Sequence, residues 1–243
     1  LHLANFVATE QVRKMNGFNR TAKESRRLLK VARKEHAAVI QGAKEALEFN
    51  AVYFPTFIDK RTRVYSVARL GFGPQGGEVA KGLLTFAGVA KPLGEHGLDA
   101  LRFELANAFG YDKLAITARM AAAQDMDVLD IIESGEWMTA DQPVKTLALC
   151  LDIAAAEALE NPEEYISAIP VGFDGTCSGI QHMSLMSRDV RGAKATNVIG
   201  TAEERADLYD EVASATLKLL TNPEIIAAAE KGSVWASGRI SKG

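Results

Sequence analysis

The sequence predicts a mainly helical protein of the α+β class, on two observations. Most of the chain has few β-branched residues, and its apolar positions recur at mixed three- and four-residue spacing, which is typical of helices. Residues 50–80 are instead rich in aromatic and β-branched residues and lead into a loop of glycine and proline, which is typical of strands. No internal repeat or low-complexity tract is present, and no linker divides the chain.

The first element in order is a helix over residues 9–49 with a strongly basic first half. Only Glu10 and Glu24 lie among nine cations: Arg13, Lys14, Arg20, Lys23, Arg26, Arg27, Lys30, Arg33 and Lys34. A charge run of this kind is most often a solvated helix face. In a protein with an acidic balance it also fits a contact with a phosphate backbone, so both interpretations stay open.

The second element is a short pair of strands or an extended segment after residue 50. It carries Arg61, Arg63 and Tyr65, and a Gly/Pro loop over residues 71–77 follows it. The remaining elements are helices over 78–120 with glycine breaks, 121–134 and 144–159, a buried strand over 165–173, and helices over 178–186 and 203–220.

The composition is that of an ordinary soluble globular protein. The 243 residues are 47% hydrophobic and 24% charged, and the formal net charge of -3 excludes a uniformly basic nucleic-acid coat. Two cysteines without a CxxC pair support neither a disulfide framework nor a structural zinc site. The sequence shows no secretory signal and no apolar run of membrane-spanning length. We therefore expect a cytoplasmic protein without a membrane partner.

The stretch IPVGFDGTCSG, residues 169–179, runs an apolar approach into a single carboxylate, Asp174. A buried carboxylate is costly unless it is paired, hydrogen-bonded or bound to a metal ion. A strand that ends in Asp and continues through small residues into a helix can present the carboxylate and nearby carbonyls to Mg²⁺ and admit a phosphate-bearing substrate. Gln181 and His182, on the first turn of that helix, would support the site. An Asx turn in which Asp174 caps the helix explains the spacing equally well.

Three collinear stretches resemble the single-subunit, phage-type DNA-directed RNA polymerases, a family that includes mitochondrial polymerases. The string PVGFDGTCSGIQH, residues 170–182, resembles motif A of this family. Upstream, YFPTFIDKRTRVYSVARLGFGPQGGEVAKGLL resembles its D-x-R-G-R-V-Y segment, N-P-Q-G loop and K-G/A-L-L helix. Downstream, GAKATNVIGTAEERADLYDEVA resembles its asparagine-containing strand and tyrosine-bearing helix. The resemblance covers residues 50–243, with a looser match to the basic helix before them.

The resemblance implies a role for each matching residue. Asp174 would be the catalytic residue of DNA-templated RNA synthesis and bind both Mg²⁺ ions, with the Gly175 carbonyl as a further ligand. Arg63 and Arg61 would hold the template or the hybrid, with Tyr65 packed beside them. The other assignments place Lys81 near the nucleic acid and Tyr209 and Lys242 at the incoming nucleotide.

The implied fold is part of the right-hand polymerase architecture. Residues 51–243 would supply the start of the palm and part of the fingers, and residues 1–50 would form a basic helical segment flanking the template cleft. The implied partners are a DNA template, the nascent RNA and ribonucleoside triphosphates. If the source is a phage, the expected location is the host cytoplasm.

Two departures from the family pattern bear on these expectations. Thr62 stands where the family usually has a glycine between its arginines, so a Cβ stands where the backbone would approach nucleic acid. Motif C, whose His-Asp-Ser carries the second metal-binding aspartate, does not occur, and only RISKG, with Lys242, resembles the start of motif B. The chain alone is therefore expected to be inactive. It would be either a piece of a longer polymerase or the small subunit of a split polymerase, whose second polypeptide carries motifs B and C.

Other candidate residues have simpler interpretations. Cys177 is expected to be a small packing residue because no base stands beside it, and His182 is expected to be structural. A group of acids is expected to be a solvated helix start and not a metal site: Asp125, Asp127 and Asp130. Two rival functions stay open. A non-catalytic nucleic-acid-binding helical module would have no use for Asp174, and a Mg²⁺-dependent phosphohydrolase would need a second acidic motif.

Overall fold

The structure is a computed structural model that describes residues 22–88, 91–172, 175–201 and 206–219. The chain divides into two compact units, residues 1–114 with 118–172 and residues 115–117 with 173–243. In the described ranges, no helix combines the length and the hydropathy needed to cross a membrane.

The described residues form α-helices and one two-stranded antiparallel sheet, which confirms the mainly helical α+β class. The elements in chain order are α1 (Ala22–Ala46), β1 (Thr56–Ile58), β2 (Val64–Ser66), α2 (Glu78–Gly82), α3 (Gly97–Ala106), α4 (Ile116–Gln124), α5 (Val128–Ser134), α6 (Pro143–Glu157), α7 (Ser178–Ser187), α8 (Val190–Ala195) and α9 (Leu208–Leu219). A single π-helical turn, Asn107–Tyr111, extends α3.

Helix α1 is amphipathic, as its sequence predicts. Ala32 and Val39 are buried on one side. The cations of its first half that the structure describes are exposed on the other side: Arg26, Arg27, Lys30, Arg33 and Lys34. At 3.6 residues per turn these five positions fall within about a third of the helix circumference, so they form one basic stripe.

The main core of the larger unit lies between α3, α5 and α6. Its buried apolar side chains include Leu101, Leu105, Ile131, Leu149 and Ile153. Trp137 packs against this cluster, and so do Ile169 and Val171. A second cluster joins α1 and α2 to the start of α6 through Val39, Phe72, Val79 and Val144.

The start of α6 is capped by a side chain from α2. Glu78 Oε1 accepts hydrogen bonds from the backbone N–H of Val144 at 2.6 Å and of Lys145 at 3.3 Å. These donors have no partner within the helix, and a carboxylate there also complements the helix dipole. Gly82 permits the close approach, because a Cβ at that position would lie 2.7 Å from Lys145 N. Thus α2 both packs against α6 and fixes where it begins.

Two expected elements differ in the structure. The helix expected over 121–134 is two helices, because the Asp127 side chain accepts hydrogen bonds from Leu129 N and Asp130 N and starts α5. The acidic group is therefore a helix start, as expected at Asp127. The asparagine-containing strand of the resembling family also has no counterpart at Asn197, which lies in a turn after α8.

The buried strand expected over 165–173 is wrong over its described part, residues 165–172, which we name the approach segment. It is extended, but within the described chain it pairs with no other strand. Loop backbone binds it instead: Phe86 N donates to Ala168 O at 2.7 Å, and Leu93 N donates to Tyr165 O at 2.8 Å. Pro170 has no N–H and removes one donor from any ladder.

Candidate functional site

The two arginines of the predicted nucleic-acid contact lie on a short β-hairpin, residues 56–66, which we name the arginine hairpin. Its register pairs Thr56 with Ser66, Phe57 with Tyr65 and Ile58 with Val64. The rings of Phe57 and Tyr65 stack at 5.6 Å between centroids. Aromatic cross-strand pairs of this kind stabilise a hairpin that has no third strand.

Asp59 organises the turn of the arginine hairpin. Its Oδ1 accepts the backbone N–H of Arg61 at 2.8 Å and of Arg63 at 3.0 Å, and its Oδ2 accepts Arg61 Nε at 3.0 Å. The pKa of Asp59 is lowered from 3.8, mainly by the hydrogen bond from the Arg63 N–H, with Arg61 adding to the effect. The charged carboxylate is therefore the form that the turn requires.

The two arginines differ in how their side chains are engaged. Arg61 binds Asp59, and its Nη2 donates to the Tyr65 hydroxyl at 3.1 Å. Arg63 is exposed, and in the described part of the chain its guanidinium makes no hydrogen bond or ion pair. The geometry thus brings Arg61, Arg63 and Tyr65 together and leaves the Arg63 guanidinium accessible to an external anion.

Thr62, between the arginines, occupies the left-handed region of backbone conformation with φ 61°. A Cβ makes this conformation unfavourable, and a glycine at this position would adopt it without strain. The hydroxyl of Thr62 donates to the carbonyl of Arg61 at 2.6 Å. The substitution is thus accommodated with backbone strain at the tip of the arginine hairpin.

Gln75, in the Gly/Pro loop, closes the free edge of β2. Its Oε1 accepts Ser66 N at 2.6 Å, and its Nε2 donates to Val64 O at 2.9 Å. The amide therefore pairs with both outward-facing backbone groups of the strand, as a third strand would. This is a structural reason for glutamine in a loop that resembles the N-P-Q-G loop.

Lys81 is an exposed residue of α2 that lines two neighbouring cavities. The smaller, about 360 Å³, is also lined by Lys145, Asp152 and Tyr165. The larger, about 990 Å³, is lined mainly by apolar side chains, including four phenylalanines: Phe49, Phe54, Phe72 and Phe86. Pro170 of the approach segment borders both cavities, so Lys81 faces the same space as this segment.

Asp152 of α6 holds the approach segment through two side-chain hydrogen bonds. Asp152 accepts the Tyr165 hydroxyl through Oδ1 at 2.8 Å and the Ser167 hydroxyl through Oδ2. Burial, followed by the hydrogen bond to Asp152, raises the pKa of Tyr165 to about 12. Tyr165 therefore stays protonated over the physiological range and remains a donor to Asp152.

In the second unit, the turn that follows Asp174 brings several of the expected residues together. Cys177 has φ 53° and stands at the N-terminus of α7. A Cβ on Gly175 would lie 3.3 Å from Gln181 Oε1, so glycine keeps the turn close to that side chain. Gln181 Nε2 donates to the Thr196 carbonyl at 2.8 Å, which ties α7 to the residue after α8.

Tyr209, from α9, reaches the same turn. The Cys177 thiol donates to its hydroxyl oxygen at 3.5 Å, and this contact is the main cause of the raised pKa of Tyr209. The chain before α9 is fixed by Asn197, whose side chain donates to Ala206 O at 2.9 Å and accepts from Ala206 N at 2.8 Å. Tyr209 therefore contacts Cys177, which follows Asp174 by three residues in the sequence.

The remaining predicted site residues are Asp174, Lys242 and His182. Asp174 and Lys242 lie outside the described residues. His182 is exposed on α7. Across residues 22–88, 91–172, 175–201 and 206–219, no three His, Cys, Asp or Glu side chains lie together as a metal site would require.

Sequence reasoning missed the acidic and amide side chains that hold these segments. Asp59 was detectable, because an aspartate two residues before Arg61 is the spacing of an Asx turn. Glu104 and Lys145 form a buried ion pair that was not predicted. Its only signal is that each charge interrupts an otherwise apolar helix face in α3 or α6.

Comparison with known proteins identifies one family. Residues 91–241 match the family model described as DNA-dependent RNA polymerase. The mitochondrial DNA-directed RNA polymerase of Neurospora crassa is 36% identical over 174 residues, which are 68% of this chain and 12% of the relative. The DNA-directed RNA polymerase of Enterobacteria phage T3 is 36% identical over 193 residues, 77% of this chain and 21% of the relative.

A plant relative gives the same picture. DNA-directed RNA polymerase 1, mitochondrial, of Arabidopsis thaliana is 34% identical over 191 residues, which are 74% of this chain and 19% of the relative. Each of these relatives thus matches most of this chain. The matched part spans a fifth or less of the length of the two mitochondrial polymerases and 21% of the phage polymerase.

Proposed function

This chain belongs to the DNA-dependent RNA polymerase family, in its phage-type, single-subunit branch, and we propose that it supplies motif A to an enzyme that makes RNA on a DNA template. The reaction is nucleotidyl transfer: the RNA 3′-hydroxyl attacks the α-phosphate of a ribonucleoside triphosphate and pyrophosphate leaves. The chain would contribute Asp174 as the catalytic residue, and the second carboxylate would come from motif C, which is outside this sequence.

The observation that supports this proposal best is the contact between Cys177 and Tyr209. The first lies in the turn of the motif A string and the second in the helix that the resemblance assigns to the nucleotide pocket. They are 32 residues apart in the chain. A module that binds nucleic acid only through basic helices would not require this contact.

Of the two Mg²⁺ ligands proposed for this turn, Gly175 lies within the described residues. Asp174 and the Gly175 carbonyl would hold Mg²⁺, which favours oxygen ligands and few protein carboxylates. When bound, Mg²⁺ would favour ionisation of the 3′-hydroxyl and neutralise charge on the phosphates. Gly175 is exposed and has no side chain that would cover its backbone. Gln181 and His182 would lie near this turn, and Gln181 orients α7 through Thr196.

Nucleic-acid binding would rest on three groups of cations. The exposed guanidinium of Arg63 would contact a phosphate of the template or hybrid, while Arg61 and Tyr65 keep the arginine hairpin in shape. Lys81 would add a charge beside the approach segment. The basic stripe of α1 would contact the phosphate backbone without sequence preference.

The proposed architecture is part of a right hand, with residues 51–243 in the palm and fingers and residues 1–50 flanking the template cleft. The partners would be template DNA, nascent RNA and ribonucleoside triphosphates, the last contacted by Tyr209 and Lys242. A second polypeptide with motifs B and C is needed if this chain is a natural subunit. The host cytoplasm stays a prediction for the location.

The test is ribonucleotide incorporation on a primed single-stranded template with Mg²⁺. We expect none from this chain alone, and incorporation when motifs B and C are supplied, either as a separate polypeptide or by extending the chain. Asp174→Asn should then abolish incorporation and leave DNA affinity within about twofold, because the carboxylate acts on the reaction and not on the duplex.

The matched control is Glu211→Gln, which removes an exposed carboxylate from α9 in the same unit. It should leave incorporation unchanged. If Asp174→Asn instead weakened DNA binding in parallel with activity, the residue would have a folding or binding role, and the non-catalytic module would be the better account.

A further inference from the structure

Glu104 is a buried carboxylate to which the proposed reaction assigns no role. Its side chain is 6% exposed, and that of its ion-pair partner Lys145 is 14% exposed. Glu104 Oε1 binds Lys145 Nζ and also accepts the backbone N–H of Gly172 at 3.4 Å. Gly172 is the last residue of the approach segment and precedes Asp174 by two residues.

The second oxygen of Glu104 is held as well. Oε2 accepts Asn107 Nδ2 at 3.1 Å, and Asn107 Oδ1 in turn accepts Arg119 Nη1 at 2.8 Å. The Arg119 guanidinium lies over the ring of Phe103, 4.8 Å from its centroid. Both carboxylate oxygens therefore have fixed donors, and the carboxylate has a single orientation towards Gly172.

Fold stability does not explain this arrangement well. Removing two charges from water costs about as much as their attraction returns, so a buried pair contributes little more than well-packed apolar residues of similar volume. Two apolar side chains in α3 and α6 would extend the core that Leu105 and Leu149 already form. What such residues lack is an acceptor for the Gly172 N–H.

We propose that Glu104, held by Lys145, is a positioning residue for nucleotidyl transfer that acts by fixing Gly172, the end of the approach segment. Ile169 and Val171, in the same segment, pack against the main apolar core. Apolar packing holds the segment against the core but is non-directional. The hydrogen bond to Gly172 is directional and adds the missing constraint at the end that continues to Asp174. This inference rests on the proposed function.

The test compares two variants in the polymerase that contains motifs B and C. Glu104→Met with Lys145→Met keeps the side-chain volumes and removes both charges and the acceptor. The control, Lys113→Met, removes an 82% exposed lysine that pairs with Asp112 and leaves every contact of Glu104 in place. Both are measured for kcat and for nucleotide KM per folded molecule, with the melting temperature as a check on folding.

We expect the methionine pair to lower kcat on the order of tenfold with KM nearly unchanged, because small misplacements of a catalytic group act on the chemical step. Lys113→Met should stay within about threefold of the wild type, because an exposed ion pair contributes little and no contact of Glu104 changes. Equal kcat in the methionine pair and the wild type would overturn the positioning role alone. Failure of the wild-type polymerase to incorporate nucleotides would overturn the proposed function with it.

A backbone variant covers the case in which the methionine pair does not fold. Glycolic acid incorporated at position 172 replaces the Gly172 N–H by an ester oxygen and changes no side chain. The donor to Glu104 is lost, while Glu104, Lys145 and Asn107 keep their contacts. A loss of kcat of similar size supports the positioning role, and an unchanged kcat overturns it.

Discussion

The arginine hairpin and the approach segment are held by opposite kinds of contact. The hydrogen bonds that shape the arginine hairpin join residues within 55–75, and those made by side chains are exposed. The approach segment is held by residues that are distant in the chain, such as Phe86 and Glu104, and its side-chain hydrogen bonds are partly buried. One presents a cation to solvent, whereas the other continues to Asp174, which we propose as the catalytic residue.

The difference indicates how each region tolerates change. Exposed polar bonds contribute little net free energy because water replaces them, so the arginine hairpin can vary at low cost. Buried charges are costly as soon as one partner is lost. Substitutions around the approach segment should therefore lower the free energy of unfolding far more than those in the arginine hairpin.

The largest expected effect is from Lys145→Met alone. This change leaves Glu104 charged and buried without its cation, so we expect a loss of about 3–5 kcal/mol in the free energy of unfolding. Urea denaturation of the chain measures it. The control is Lys113→Met, which removes an 82% exposed lysine from a pair with Asp112 and should change stability by less than about 1 kcal/mol. Equal losses from the two variants would refute the contrast between buried and exposed regions.

The second-largest loss of unfolding free energy is expected from Glu78→Ala, which removes the side chain that caps α6. Val144 N and Lys145 N would lose their acceptor, so the unfolding free energy should fall by about 1–2 kcal/mol. The matched variant Glu78→Gln keeps an acceptor oxygen and should lose clearly less, as measured by the same denaturation. A glutamine variant as unstable as the alanine variant would show that charge, and not capping, carries the effect.

This contrast also explains which parts of the molecule are predictable from sequence. The arginine hairpin, the basic face of α1 and the helix start at Asp127 depend on near neighbours, and local patterns predict them. The strand expected over the approach segment is wrong because Ile169 and Val171 are apolar for packing against α3 and α6, not for pairing in a sheet. Its polar partners are distant in sequence, so no local pattern identifies them.

The candidate site divides in the same way. The string around Asp174 is specific enough to suggest the family from the sequence, and the family comparison confirms it. The contact of Cys177 with Tyr209 joins residues on separate elements, and only the fold brings them together. The family resemblance predicts roles for the segments around Cys177 and Tyr209. Their separation along the sequence does not indicate how close the two side chains lie in the folded protein.

A smaller effect, of opposite sign, is expected from Thr62→Gly. Glycine relieves the left-handed strain at φ 61°, at some cost in unfolded-state entropy, so the net gain should be about 0.5–1 kcal/mol. Thr62→Ala keeps a Cβ and should give no gain. Because the change is confined to the arginine hairpin, it should not alter the response of the chain to Lys145→Met. Coupling between the two variants would contradict the independence of the regions.

The smallest expected effect is the loss of stability at acid pH that the titration of Asp59 causes. The folded-state pKa of Asp59 is lowered from 3.8, so its contribution to stability is present above that value and is lost as the pH falls through the lower, folded-state pKa. Asp59→Asn removes this titration, and the difference in unfolding free energy between wild type and variant should shrink only below about pH 4. The carboxylate binds two backbone N–H groups and Arg61, so the loss should coincide with opening of the turn, which the Tyr65 ring signals report by NMR. A difference that is constant from pH 6 to pH 2 would show that the charge of Asp59 is not what holds the arginine hairpin.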